Sequence, residues 1–64
     1  MKSYRLYLLN REDRIADALE GLFANDDEAL ARAEAARKDY YAVEVWHGGR
    51  LVGRLGEEFL LGRG

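Results

Sequence analysis

The stretch from Ala42 to Leu55, Ala-Val-Glu-Val-Trp-His-Gly-Gly-Arg-Leu-Val-Gly-Arg-Leu, constrains this chain more than any other. It reads as two short strands joined by Gly48-Gly49. A two-residue hairpin turn needs positive φ at one or both central positions, which glycine adopts without steric cost. An isolated hairpin is marginal in water, so other strands or a helix must cover one of its faces. Side chains alternate along a strand, which sets Val43 and Val45 on one face and Glu44 and Trp46 on the other.

The chain has 64 residues, enough for one domain and one core. A domain of this size buries only about 60 % of the surface its unfolded chain exposes. Disulfides, a metal or self-association commonly make up the difference. There is no cysteine, which excludes disulfides and thiolate metal sites and fits a reducing compartment. The 10 basic and 12 acidic residues leave a net charge of -2, without the basic excess of a general polyanion binder. No apolar run approaches the ~20 residues that span a bilayer. Met1-Lys2-Ser3-Tyr4-Arg5 leads into alternating residues rather than an apolar signal core. The expected location is the cytoplasm, without membrane contact.

Tyr4 to Leu9 is rich in aromatic and apolar residues and reads as a first strand. Tyr4, Leu6 and Leu8 share one face; Arg5, Tyr7 and Leu9 share the other. Asn10-Arg11-Glu12-Asp13 is a polar turn, in which Asn10 and Asp13 suit the backbone groups. Arg14 to Ala24 fits two patterns. Ile15, Leu19, Leu22 and Phe23 fall at helical spacing, while Ile15, Leu19 and Phe23 also share a strand face. A short polar turn returns the chain most simply as a hairpin, so a strand from Arg14 to about Glu20 is the preferred reading.

Asn25-Asp26-Asp27-Glu28 is a helix start. Asn25 is a capping residue, Glu28 stands at capping-box spacing, and the acids suit the positive end of the helix dipole. The alanine-rich stretch through Arg37-Lys38 continues the helix, with Ala29, Leu30, Ala33, Ala36 or Arg37, and Tyr40 along one stripe. The expected domain covers residues 1–55. Residues 56–64 form an apolar tail carrying Phe59-Leu60-Leu61 and ending in a mobile Gly62-Arg63-Gly64.

Tyr4-Arg5-Leu6-Tyr7-Leu8-Leu9, Asp26-Asp27-Glu28-Ala29-Leu30, and Val43-Glu44-Val45-Trp46 through Gly49-Arg50-Leu51-Val52 stand in this order. In this the chain resembles a group of short, uncharacterised bacterial proteins of about this length. The resemblance covers nearly everything up to Leu55. Its most specific part is Val43-Glu44-Val45-Trp46 with the turn and Arg50-Leu51-Val52. It implies a strand after the first turn, where this chain departs toward helix formers at Ala16 to Gly21. It implies no activity, cofactor or catalytic residue.

The chemical inventory is sparse. Cysteine and threonine are absent, and the one serine, Ser3, lies beside the terminus. His47 is the sole histidine, and the odd spacing from Glu44 puts the two on opposite strand faces, so they do not converge on a metal. Asp26-Asp27-Glu28 lacks the alternating oxygen ligands and central glycine of a calcium loop, and capping accounts for it. Gly48-Gly49 precedes a strand rather than a helix, unlike a phosphate loop. No catalytic, cofactor-binding or metal-binding residue is assigned, and no cofactor is expected.

The expected fold is α+β: β-β-α-β-β, a four-stranded antiparallel sheet in the order 2-1-3-4 with one helix on one face. The alternative, with Arg14 to Ala24 helical, is β-α-α-β-β. In the first fold the helix covers Leu6, Leu8, Val43, Val45, Leu51 and Leu55. The opposite face carries Arg5, Tyr7, Leu9, Glu44, Trp46, Val52 and Arg54. Aromatic and arginine side chains concentrate at binding hot spots, so Arg5, Tyr7, Trp46 and Arg54 are the candidate interaction face. An open apolar face on a small domain suits a protein partner, a second copy, or cover by the Phe59-Leu60-Leu61 tail. The leading expectation is a non-enzymatic protein–protein interaction module, with a homodimer among its forms. The alternative is a sheet that binds single-stranded nucleic acid, with Tyr7 and Trp46 stacking on bases and Arg5, Arg50 and Arg54 meeting phosphates. The near balance of charge disfavours it.

Overall fold

Alternating Tyr4, Leu6 and Leu8 begin the core, and the elements assemble around them. A computed structural model describes residues 1–56. The expected tail contact of Phe59-Leu60-Leu61 and the mobility of residues 62–64 lie outside the described residues. Strands β1 (Lys2–Leu9) and β2 (Ile15–Phe23) form a hairpin. Helix α1 (Asp26–Ala36) follows, with a 3₁₀ turn over Arg37–Asp39, and then β3 (Ala42–His47) and β4 (Arg50–Gly56). All pairings are antiparallel and the order is β2-β1-β3-β4. The described residues are thus α+β with one α-helix, and Ile15–Phe23 is a strand, against the β-α-α-β-β alternative. β4 runs to Gly56, one residue past the expected domain boundary.

Pairing with β1 overrides the helical spacing of β2, because strand formation satisfies the backbone across a ladder already begun. The loop is built on Asn10, whose Oδ1 accepts from Glu12 N and Arg14 N at 3.0 Å each. Asp13 adopts φ of 66°, the left-handed conformation that aspartate tolerates better than most residues. Asn25 caps α1 by accepting from Glu28 N at 2.9 Å, and Glu28 Oε1 accepts from Ala24 N at 2.9 Å. The helix stops at Ala36, short of the expected Lys38, where the chain tightens into the 3₁₀ turn.

The core lies between α1 and one sheet face. It contains Tyr4, Leu6, Leu8, Ala29, Ala33, Val43 and Val45, with Leu19, Phe23, Leu30, Ala36, Tyr40, Val52 and Leu55 packed against it. The alanines let the helix lie close to the strands, as their spacing suggests. At β4, Leu30 Cδ2 lies 3.2 Å from where a Cβ on Gly53 would stand, so a side chain there would press on Leu30.

Two bulges correct the expected faces. The first falls between Leu8 and Leu9: Leu8 faces Asp17 while Leu9 faces Ile15, which leaves Ala16 as the extra residue. Ile15 therefore does not join Leu19 and Phe23 in the core and is 59 % exposed. The second falls between Val45 and Trp46: Val45 faces Gly53 and Trp46 faces Leu51, with Val52 extra. Leu51 consequently leaves the helix-covered face and is exposed, while Val52 packs against the core. One inserted residue reverses the face of everything beyond it. Leu9, expected on the open face, is buried, as is its partner Ala42.

Candidate functional site

The face away from α1 is ordered in ranks set by strand register. One rank runs Glu20, Arg5, Trp46, Leu51 across β2, β1, β3 and β4. The next runs Ala18, Tyr7, Glu44, Arg54. The expected face residues Arg5, Tyr7, Trp46 and Arg54 thus stand together on two adjacent ranks. Leu22, opposite Ser3, lies on the same face and is 63 % exposed. At its other end the face is closed, with Leu9 and Ala42 buried.

Carboxylates partner the cations of this face. Arg5 Nη2 lies 3.1 Å from Glu20 Oε2. Tyr7 beside it, and then Glu20, push the Arg5 guanidinium pKa further up. Arg54 Nη1 donates to Glu44 Oε2 at 2.9 Å, and Trp46 Nε1 donates to Glu44 Oε1 at 3.2 Å. Glu44 therefore orients both Trp46 and Arg54. The other end of the Arg54 guanidinium reaches Asp13 in the β1–β2 loop, two strands away in the sheet. Asp13, then Glu44, raise the Arg54 pKa against the opposing cost of burial. The sequence pattern singled out Arg54 but not Asp13. The left-handed tolerance of aspartate in a polar turn was the available signal, and it carries no information about a partner 41 residues away.

Beside Trp46 the face sinks into an open hollow of about 580 Å³, lined among others by Ser3, Arg5, Tyr7, Glu20, Trp46 and His47. Tyr4 and His47 border it from the helix side of the sheet, where their rings stack. The His47 and Tyr4 rings lie 4.9 Å apart with planes 29° from parallel, and Phe23 meets the far side of Tyr4 edge-on at 5.8 Å. The Tyr4 hydroxyl donates to Asp26 Oδ1 at 2.6 Å, and Arg50 Nη2 reaches Asp26 Oδ2 at 3.4 Å. Tyr4's hydrogen bond, more than Arg50, holds the Asp26 carboxyl below its usual range. The same bond pushes the Tyr4 phenol up. His47 flanks the turn as expected, on the opposite face from Glu44. Its stack on Tyr4 was not legible, because it joins the two ends of the chain's fold.

Among the described residues no three of His, Cys, Asp and Glu gather into a metal-binding group. No helix among them is long and apolar enough to cross a membrane. A comparison with protein-family models, with curated proteins and with solved structures found no match for this chain.

Proposed function

We propose that this protein is a non-enzymatic interaction module that docks another protein, a foreign chain or a second copy, on the sheet face away from α1. The observation that carries this reading is the composition of that face. Trp46 and Tyr7 stand on adjacent ranks, the large apolar residues Leu22 and Leu51 are exposed at its two sides, and a hollow opens between them. Aromatic and arginine anchors bordered by apolar surface are the usual material of protein contacts. Glu44 holds Trp46 and Arg54 in place before any partner arrives, which lowers the ordering cost of binding.

The single-stranded nucleic-acid reading loses support at the arginines. Arg5 is paired with Glu20, Arg50 with Asp26, and Arg54 with Glu44 and Asp13. A phosphate would have to displace a carboxylate at each position. The test compares wild type with the Tyr7→Ala, Trp46→Ala double variant in capture from native lysate, alongside anisotropy with labelled single strands at two salt concentrations. The expected result is a protein partner held by wild type, lost by the variant, and little affected by salt, because apolar burial drives the contact. Tight single-strand binding that falls steeply with salt would overturn the reading.

A further inference from the structure

The backbone of β2 has a second side. Asn10 N donates to Arg14 O and Tyr41 N donates to Leu9 O, so Asn10 turns toward β2 and Leu9 toward β3. Alternation then turns Leu8, Leu6 and Tyr4 toward β2, where they meet Asp17, Leu19 and Gly21. The intervening residues Ala18, Glu20 and Leu22 direct their N–H and C=O groups outward, away from β1. Ala18 shows this directly: its N–H takes the Asp17 side-chain Oδ1 at 2.8 Å. Among the described residues no strand pairs with this edge.

We infer that the edge of β2 pairs antiparallel with the β2 of a second copy, joining two sheets into one of eight strands. Natural edges are commonly protected by proline, by charged side chains, by bulges or by brevity, and the bulge at Ala16 confines the usable edge of β2 to Asp17 onward. β2 is nine residues long and has neither proline nor lysine. Its two charges are Asp17 and Glu20, and they limit the register. Centred on Leu19, the pairing runs from Asp17 to Gly21 on each copy, clear of the bulge at Ala16. Ala18 then faces Glu20 of the partner subunit, Asp17 faces Gly21 of the partner subunit, and no acid opposes an acid. Moving the centre to Glu20 or Asp17 sets a carboxylate directly against its copy, which is destabilising. With Leu19 at the centre, Ala18 and Glu20 fall at hydrogen-bonded positions, in agreement with their outward amides.

The two-fold axis of such a pair is perpendicular to the sheet. Both helices fall on one side, and both Trp46 faces fall on the other as one continuous surface. Asp17 competes with this pairing, since its carboxylate already occupies the Ala18 amide. The inference stands apart from the outer-face reading, because it uses backbone groups of β2 and not Tyr7 or Trp46.

Sedimentation velocity over a micromolar to millimolar range tests it. Wild type should pass from monomer to dimer as concentration rises. Ala18→Pro removes an outward N–H that the β1 ladder does not use, and should remain monomeric. Asp17→Ala frees the amide and removes a charge, and should move the midpoint to lower concentration. The Tyr7→Ala, Trp46→Ala variant removes the outer-face anchors and should still show concentration-dependent amide protection at Ala18 and Glu20, which separates the edge pairing from any outer-face dimer. Amide exchange of the wild-type chain gives an independent reading, with protection at Ala18 and Glu20 rising with concentration. A wild type that stays monomeric at millimolar concentration overturns the inference. So does a dimer that leaves exchange at Ala18 and Glu20 unchanged, or one lost in the Tyr7, Trp46 variant and kept in Ala18→Pro.

Discussion

The Tyr4 hydroxyl donates a 2.6 Å hydrogen bond to Asp26, tying the first strand to the first residue of the helix. The ring of Tyr4 is core, packed between Phe23 and His47, while its oxygen reaches the helix terminus. Asp26 in turn serves the dipole of α1 and the guanidinium of Arg50 at the start of β4. Two contacts at Asp26 thus couple three elements that are distant in sequence.

Tyr4→Phe keeps the ring and removes this bond. The Asp26 carboxyl pKa should rise toward its ordinary value, as read by NMR titration of the side-chain carboxyl. The pH dependence follows from the two shifts. Asp26 is depressed in the folded state, so its contribution is present above the unfolded carboxylate pKa and is lost as pH falls through the folded value. Tyr4 is raised, so its contribution is present below the unfolded phenol pKa and is lost as pH rises through the folded value. The stability difference between wild type and Tyr4→Phe should therefore be greatest between these ranges and shrink at both extremes. A constant difference across pH would show that the bond is not formed in solution.

Val45 is fully buried beneath the helix, in contact with the Leu6 layer of the core. Val45→Ala should lower stability by about 1–3 kcal/mol, from lost transfer energy and an incompletely filled cavity. Urea midpoints measure it. An unchanged midpoint would place Val45 on the wrong face.

The bulge in β4 makes a sharper comparison. Val52→Ala should cost more than Leu51→Ala, because Val52 packs on the core and Leu51 is exposed. Plain alternation from Val43 and Val45 would have ranked them the other way. Parallel denaturation of the two variants decides between the registers.

Gly56 has φ of +138°, and a Cβ there would lie 2.6 Å from Ala42 Cα, Ala42 Cβ and Tyr41 O. Backbone atoms cannot yield as a flexible side chain would. Gly56→Ala should destabilise by on the order of 2 kcal/mol, the scale of a residue held in a forbidden conformation. Gly49→Ala, where a Cβ meets open space, is the control and should have a small effect in the same thermal melts.

Asn25→Ala should cost about 1 kcal/mol through the lost N-cap to Glu28 N. Circular dichroism during thermal unfolding reads it, and Asn25→Ser should recover most of the loss.

Much of the architecture was determined by local chemistry in the sequence. The Gly48-Gly49 hairpin, the Asn25–Glu28 helix start, the alanine stripe and the polar turn after β1 are each decided by residues within a few positions of one another. Together they were enough to specify the strand order and to set Arg5, Tyr7, Trp46 and Arg54 on one face. What only the tertiary structure decided depends on partners far along the chain. Arg14 to Ala24 carries helical spacing, and Ile15–Phe23 within it becomes a strand because β1 offers it a ladder. Leu51 and Val52 exchange faces because a bulge inserts one residue, and alternation read from sequence assumes an unbroken ladder. Asp13 meets Arg54, and Tyr4 meets Asp26 and His47, only once the sheet has closed. Local patterns fix what a residue can pair with through hydrogen bonds and apolar periodicity; which distant group arrives is settled by register, where a single residue reverses inside and outside.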